Sequence, residues 1–170
     1  RDDGGVAYAY FGDGAANQGQ VYESFNLASL WVLPVVFLIE NNKYGMGTSV
    51  ARAASGGGLY KRGEGFGIPG KQVDGMDVVA VMNEGIEAAA YARENGPVIL
   101  EMETYRYRGH SMSDPAKYRS REEVSKMREE HDPIEGLKAR ALAAGLLSEE
   151  GMKAIDQDVR AVVAEAPEFA

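Results

Sequence analysis

The chain has 170 residues, 45% of them hydrophobic, which suits one domain of ordinary size with its own core. A net charge of -8 argues against nucleic acid or an anionic membrane as a general partner, and the lack of cysteine excludes disulfides and thiolate metal sites. No apolar run approaches the roughly 20 residues of a membrane span, and no signal peptide is visible.

The chain starts at Arg1 rather than Met and enters a strand within a few residues, so it reads as a fragment lacking an N-terminal part. Residues 6–11 (VAYAYF), an apolar run closed by glycine, predict a buried strand. Val21, Phe25, Ala28 and Trp31 recur at helical spacing, and Pro34 is expected to end that helix. Residues 35–39 (VVFLI) predict a second buried strand, and the strand–helix–strand unit implies a right-handed parallel crossover. Residues 43–70 read as a glycine-rich, irregular loop with one helical turn near Tyr60; a loop of that length in a compact domain is usually functional or mobile. Asp77 is placed to cap a helix running to Asn95, with Gly96-Pro97 as its stop. Residues 98–105 predict a third strand and residues 106–119 a second long loop. Three helices follow, opened by a Ser120/Glu123 capping box, by Asp132-Pro133, and by Ser148-Glu149-Glu150. The expected class is α/β, a parallel sheet flanked by helices and incomplete at its N-terminus. Residues 1–120 form the α/β domain, and residues 121–170 form a helical C-terminal extension packed on it.

Ligands of open parallel sheets bind off the carboxyl ends of the strands. The first two predicted strands end there in Gly12-Asp13-Gly14 and in Asn41-Asn42, with residues 15–40 between. Asp13 offers a carboxylate and Asn42 an amide oxygen, hard ligands of the kind magnesium takes together with phosphate and water. Gly12 and Gly14 let backbone N–H groups approach an anion closely, and a helix N-terminus just beyond adds partial positive charge. Either motif alone reads as a turn. Together, at this spacing around a helix, they point to a magnesium-bound diphosphate.

The stretch GDGAANQGQVYESFNLASLWVLPVVFLIENNKYGMGTS resembles the thiamin-diphosphate motif. With YKRGEGFGIPG, VDGMD and TYRYRGHSMSDPAKYRSREEV, nearly the whole chain is similar to the alpha subunits of the decarboxylase component of pyruvate dehydrogenase complexes, in the thiamin-diphosphate-dependent 2-oxo acid dehydrogenase family. The resemblance implies a thiamin-diphosphate-binding fold. It implies that Asp13, Asn42 and the carbonyl of Tyr44 bind Mg2+, and that Gly14 and Ala15 contact the diphosphate through their backbone. It implies a beta subunit in an α2β2 heterotetramer, a lipoyl-bearing dihydrolipoyl acetyltransferase as acetyl acceptor, and pyruvate as substrate. The location implied is cytoplasmic in a bacterium, or the mitochondrial matrix in a eukaryote.

Residues 104–121 hold Arg106, Arg108, Lys117, Arg119 and Arg121 against one acid, Asp114. On charge alone this is a solvated basic loop. The resemblance makes it a loop that covers the active site, in which His110 meets the diphosphate and the reacting groups. Ser111 and Ser49 match regulatory phosphorylation sites of mitochondrial relatives, whereas a third such position is occupied here by Lys117. Through GHSMSDP the resemblance implies pyruvate rather than branched-chain 2-oxo acids or acetoin. Two readings of other classes compete. A metal-dependent phosphate hydrolase would need a second carboxylate near Asp13. A non-catalytic assembly module, suggested by the acidic helical tail, would need neither Asp13 nor Asn42.

Overall fold

The computed structural model describes residues 4–169; Arg1, where the chain starts, lies outside the described residues. Strand β1 (Ala7–Gly12) passes through a 3-10 turn at Ala15–Asn17 into helix α1 (Gly19–Leu30), and the chain returns in β2 (Val35–Asn41). A short hairpin follows, β3 (Tyr44–Gly45) with β4 (Thr48–Ser49), then one turn of helix, α2 (Val50–Ala53), and a 3-10 segment at Leu59–Phe66. Strand β5 (Gly70–Asp74), helix α3 (Val78–Asn95) and strand β6 (Val98–Glu103) complete the sheet. Its order is β1-β2-β6-β5 and every pairing is parallel.

Alternation along β2 decides what covers each face. Phe37 and Ile39 join Phe25 and Ala28 of α1, Ala16, Leu59, Ile68 and Ile99 in one core. Val36 and Leu38 face the other way, with Val98, Leu100 and Met102 of β6, Val73 of β5, and Ala88 and Ala92 of α3. Small residues on α3 let that helix lie close to the sheet. Asp77 caps it, accepting from the backbone N–H groups of Val79 (2.9 Å) and Ala80 (3.1 Å), and Gly96 (φ 94°) takes the chain out of it.

Three expectations change. Residues 6–11 are not buried: β1 is the sheet's edge among the described residues, with Tyr10 63% exposed, because only β2 pairs with it. Helix α1 ends at Leu30, before Pro34, since Val32 turns left-handed (φ 50°) and Leu33 N–H bonds back to Ala28 O. Strand β5 starts at the end of the predicted loop of residues 43–70 and runs on through residues to which no element was assigned, because only Val73 of its five residues is buried. The helical turn near Tyr60 is there, as 3-10 geometry.

Contacts divide the chain into two units, one ending at His131 and one starting at Asp132. Helix α4 (Arg121–His131) belongs to the first, and Ser120 Oγ accepts from Glu123 N–H at 3.0 Å at its start. Helices α5 (Pro133–Ala143) and α6 (Glu149–Phe169) make the second. Asp132 Oδ1 caps α5 through Ile134 and Glu135, and Ser148 Oγ caps α6 through Gly151, as the sequence predicts. No helix among the described residues is long and apolar enough to cross a membrane.

Phe25 is 1% exposed and meets Phe37 edge-on, ring centroids 4.8 Å apart. Phe25→Ala in the full-length protein should lower unfolding free energy by about 3–5 kcal/mol, and Phe25→Leu by distinctly less. Denaturant titration checks this; a cost under about 1 kcal/mol for the alanine variant would contradict a packed aromatic core.

Candidate functional site

The β1–β2 ladder sets two chain ends side by side. Gly12 pairs with Glu40, and Asp13 N–H donates to Glu40 O at 3.3 Å. Asp13, 3% exposed, thus leaves the sheet beside the Asn41-Asn42 turn. Burial pushes its carboxyl above the ordinary aspartate range; hydrogen bonds from the backbone of Asp13 and Asn42, and the charges of Arg106 and Lys43, only partly reverse this. The site therefore holds a buried carboxylate short of positive charge.

The turn after β2 is fixed through Asn41. Its Nδ2 donates to Glu101 Oε1 at 2.6 Å and its Oδ1 accepts from Lys43 N–H at 2.9 Å. Lys43 follows in a left-handed conformation (φ 71°). Asn42 Oδ1 then accepts from Tyr44 N–H at 3.3 Å. Gly45 packs β3 directly on the first loop: a Cβ there would lie 3.2 Å from Gly14 Cα and 3.9 Å from Asp13 Oδ2. Gly14 and Ala15 open the 3-10 turn, whose leading N–H groups have no intrahelical acceptor.

A guanidinium marks where these groups converge. Arg106 Nη1 donates to Asn42 Oδ1 (3.3 Å) and to Tyr44 O (3.1 Å), and its Nη2 donates to Met46 O and to Tyr118 Oη, both at 2.8 Å. Two of the three oxygens expected to hold magnesium thus share one cationic nitrogen, and its charge also acts on Asp13. Carboxylate, amide oxygen and main-chain carbonyl form a donor set that fits magnesium. Among the described residues no group of three or more His, Cys, Asp or Glu side chains is placed to hold a metal ion. A cation here rests on one carboxylate and neutral oxygens, which leaves coordination positions for phosphate and water.

His110 stands apart from this cluster. It is exposed, and its backbone N–H donates to Asp114 Oδ2 at 2.8 Å. The Tyr118 hydroxyl (2.6 Å), with the backbone of His110 and Ala116, holds the Asp114 carboxyl down at about 2. Ser111 is exposed, its Oγ 3.1 Å from Ser113 Oγ; Ser49, half-buried, pairs with Tyr44 across the hairpin.

Three residues were not singled out individually from sequence. Arg106 and Arg119 read as members of a solvated basic loop, and Glu101 as one more strand residue. The guanidinium of Arg119 lies over the rings of Tyr105 (4.1 Å) and Tyr44 (4.9 Å), and its Nη2 donates to Asn42 O at 2.6 Å. The alternation Tyr105-Arg106-Tyr107-Arg108 was the available signal, since arginine on tyrosine is a stacking pair.

The family model described as "Dehydrogenase E1 component" matches residues 1–170. The chain belongs to the dehydrogenase E1 component family. It is 61% identical to the pyruvate dehydrogenase E1 component subunit alpha of Rhizobium meliloti (strain 1021), over 100% of this chain and 49% of that protein. Identity is 58% to the protein of the same name in Zymomonas mobilis, over 100% of this chain and 48% of that protein. It is 53% to the somatic, mitochondrial form of Sus scrofa, over 97% and 42%. The chain spans about half the length of the curated relatives it matches. The α/β architecture with a parallel four-stranded sheet is consistent with the E1 fold.

A metal ligand must be deprotonated, so if Asp13 is one, its raised carboxyl makes cation binding pH-sensitive. In the assembled E1 enzyme, affinity for Mn2+ as a probe should weaken on acidification while the pH is still above about 3.9, the ordinary aspartate value. Asp13→Asn should remove that dependence along with most of the affinity. An affinity unchanged by pH down to that value would contradict a buried aspartate ligand.

Proposed function

We propose that this E1 chain works as the alpha subunit of a pyruvate dehydrogenase. With its beta subunit it performs thiamin-diphosphate-dependent oxidative decarboxylation of pyruvate and passes the acetyl group to the lipoyl group of a dihydrolipoyl acetyltransferase. The observation that carries this reading is the convergence of Asp13, Asn42 and Tyr44 at the carboxyl edge of a parallel sheet, with Asn42 Oδ1 and Tyr44 O on one cationic nitrogen. The subunit-alpha names of the relatives support it.

When bound, the thiazolium supplies the electron sink that a 2-oxo acid needs to lose carbon dioxide. The chain's own residues have narrower tasks. Asp13, Asn42 and the Tyr44 carbonyl hold Mg2+, and the backbone N–H groups of Gly14 and Ala15 take the diphosphate oxygens. The loop of residues 104–121 covers the site, and His110 on it meets the diphosphate and the reacting groups, where an imidazole can move a proton. The glutamate that activates the aminopyrimidine belongs to the beta subunit, so this chain is inactive alone and works in an α2β2 heterotetramer. Residues 1–120 are the cofactor-binding domain and 121–170 its helical extension. The compartment is the cytoplasm of a bacterium or, in a eukaryote, the mitochondrial matrix. Ser111 and Ser49 are candidate phosphoacceptors; phosphate on Ser111 would add about -1.5 to -2 charge to a loop that has to meet another phosphate.

In the heterotetramer, Asp13→Ala and Asn42→Ala should each abolish or sharply weaken Mg2+-dependent thiamin diphosphate binding, measured by calorimetry. His110→Ala should keep binding and lose acetyl transfer to lipoyl groups. Pyruvate should be turned over in preference to 2-oxoisovalerate. Unchanged cofactor affinity in both alanine variants would overturn the reading.

A further inference from the structure

Glu101 is the least exposed carboxylate among the described residues, at 1%, yet the chemistry above does not use it. It sits on β6 beside β2, paired with Ile39 in the ladder. Both of its oxygens accept. Oε1 takes Asn41 Nδ2 at 2.6 Å, and Oε2 takes the backbone N–H of Tyr60 at 3.0 Å. Asn41 is itself 2% exposed, and its other end accepts from Lys43 N–H at 2.9 Å.

These contacts fix an orientation. A backbone N–H can only donate and a carboxylate can only accept. The amide of Asn41 must therefore turn its nitrogen to Glu101 and its oxygen to Lys43. That oxygen closes the turn carrying Asn42 and Tyr44, whose oxygens face the cation position. The Tyr60 contact extends the brace. Tyr60 lies in the 3-10 segment at Leu59–Phe66, and Arg62 of that segment donates to Ala16 O at 2.8 Å and to Tyr22 Oη at 2.6 Å. Ala16 follows Gly14 and Ala15 directly. One buried carboxylate thus ties the Asn41–Tyr44 turn to the segment that grips the Gly12–Ala16 loop.

We propose that Glu101 is a positioning residue for the cation–diphosphate grip, setting the turn of Asn41–Tyr44 against the loop of Gly12–Ala16. The inference rests on the proposed role of Asp13 and Asn42 in holding that cation. Partners behind metal ligands typically change affinity by about 10–100-fold when removed, and Glu101 belongs to that range.

The test uses the full-length heterotetramer with Mg2+ and thiamin diphosphate, reading cofactor affinity by calorimetry and turnover at saturating cofactor. Glu101→Gln keeps the shape but sets an amide NH2 against one of two N–H donors. It should weaken cofactor binding about 10–100-fold and leave turnover at saturation within about twofold. Asn41→Asp places two carboxylates face to face and should weaken binding at least as much. Combining Glu101→Gln with Asn41→Asp reverses donor and acceptor and restores all three hydrogen bonds, so affinity should return to within about threefold of the parent. A purely bulk-stability role predicts no such rescue. Affinity within about twofold of the parent in Glu101→Gln, or no recovery in the double variant, overturns the proposal. Asn42→Ala is the separating control. If it loses binding while Glu101→Gln does not, only the positioning role fails. If Asn42→Ala also binds normally, the reading of the site itself fails. Should Glu101→Gln not assemble, the Asn41→Asp variant with and without its rescue carries the same decision.

Discussion

The register between β1 and β2 is the constraint on which the site depends. Gly12 opposite Glu40 puts Asp13 and the Asn41-Asn42 turn at the same level of the sheet. A slip of one residue would displace them by about 3.3 Å and would also turn Phe37 and Ile39 to the wrong face. Phe25, Phe37 and Ile39 are all buried in the core under α1, while Val36 and Leu38 belong to the core under α3. Hydrophobic burial on both faces therefore holds the polar ends in register. The core and the juxtaposed strand ends are not separate achievements of the sequence, because the first determines the second.

At the carboxyl edge of the sheet the ladder stops and backbone groups need other partners. Asn41 O takes Thr104 N–H at 2.9 Å, Glu103 O takes Gly75 N–H at 2.8 Å, and Asn42 O takes the guanidinium of Arg119. The Arg119 side chain is 4% exposed, with its guanidinium over the Tyr105 and Tyr44 rings. Its Nε has no hydrogen-bond partner, and the Glu123 carboxylate lies 3.8 Å away. That carboxylate accepts the Tyr105 hydroxyl at 2.8 Å, and burial together with this bond pushes the hydroxyl up to about 12. Aromatic rings and a charged loop thereby close a site edge that a solvated loop would leave open to water.

The β1–α1–β2 unit, α3 and its cap, and the three C-terminal helices were legible because each writes its signal locally. Periodicity, Asp77, Asp132-Pro133 and Ser148 report on their own neighbours. The juxtaposed strand ends at Gly12-Asp13-Gly14 and Asn41-Asn42 were legible for the same reason, each closing a strand with a distinctive turn. Strand β5 was not, since one buried valine in five residues gives no alternation and its pairing with β6 is non-local. The exposure of β1 was hidden because an edge strand and a central strand can share one apolar composition. Arg106, Arg119 and Glu101 escaped for a deeper reason. Charged residues look solvated until a distant partner removes water from them, and their partners lie 60, 77 and 60 residues away in sequence.

Those distant partners make the loop and the turn one object. From Asn42 Oδ1 and Tyr44 O the contacts run through Arg106 to the Tyr118 hydroxyl, from that hydroxyl to Asp114, and from Asp114 to the backbone N–H of His110. Every link is a hydrogen bond of 3.3 Å or less with one charged partner, Arg106 in three and Asp114 in two. The backbone of His110 is therefore linked, through Asp114 and Tyr118, to the arginine that touches the Asn42 and Tyr44 oxygens. Magnesium draws its ligands in to about 2.0–2.1 Å, closer than any hydrogen bond of the guanidinium, and brings twice its charge. If the proposed ion is held by Asn42 and Tyr44, it competes with Arg106 Nη1 for the same two oxygens. Arg106, which sequence reading assigns to a solvated basic loop, is in the folded chain the joint between the Asn42–Tyr44 turn and the loop that carries His110.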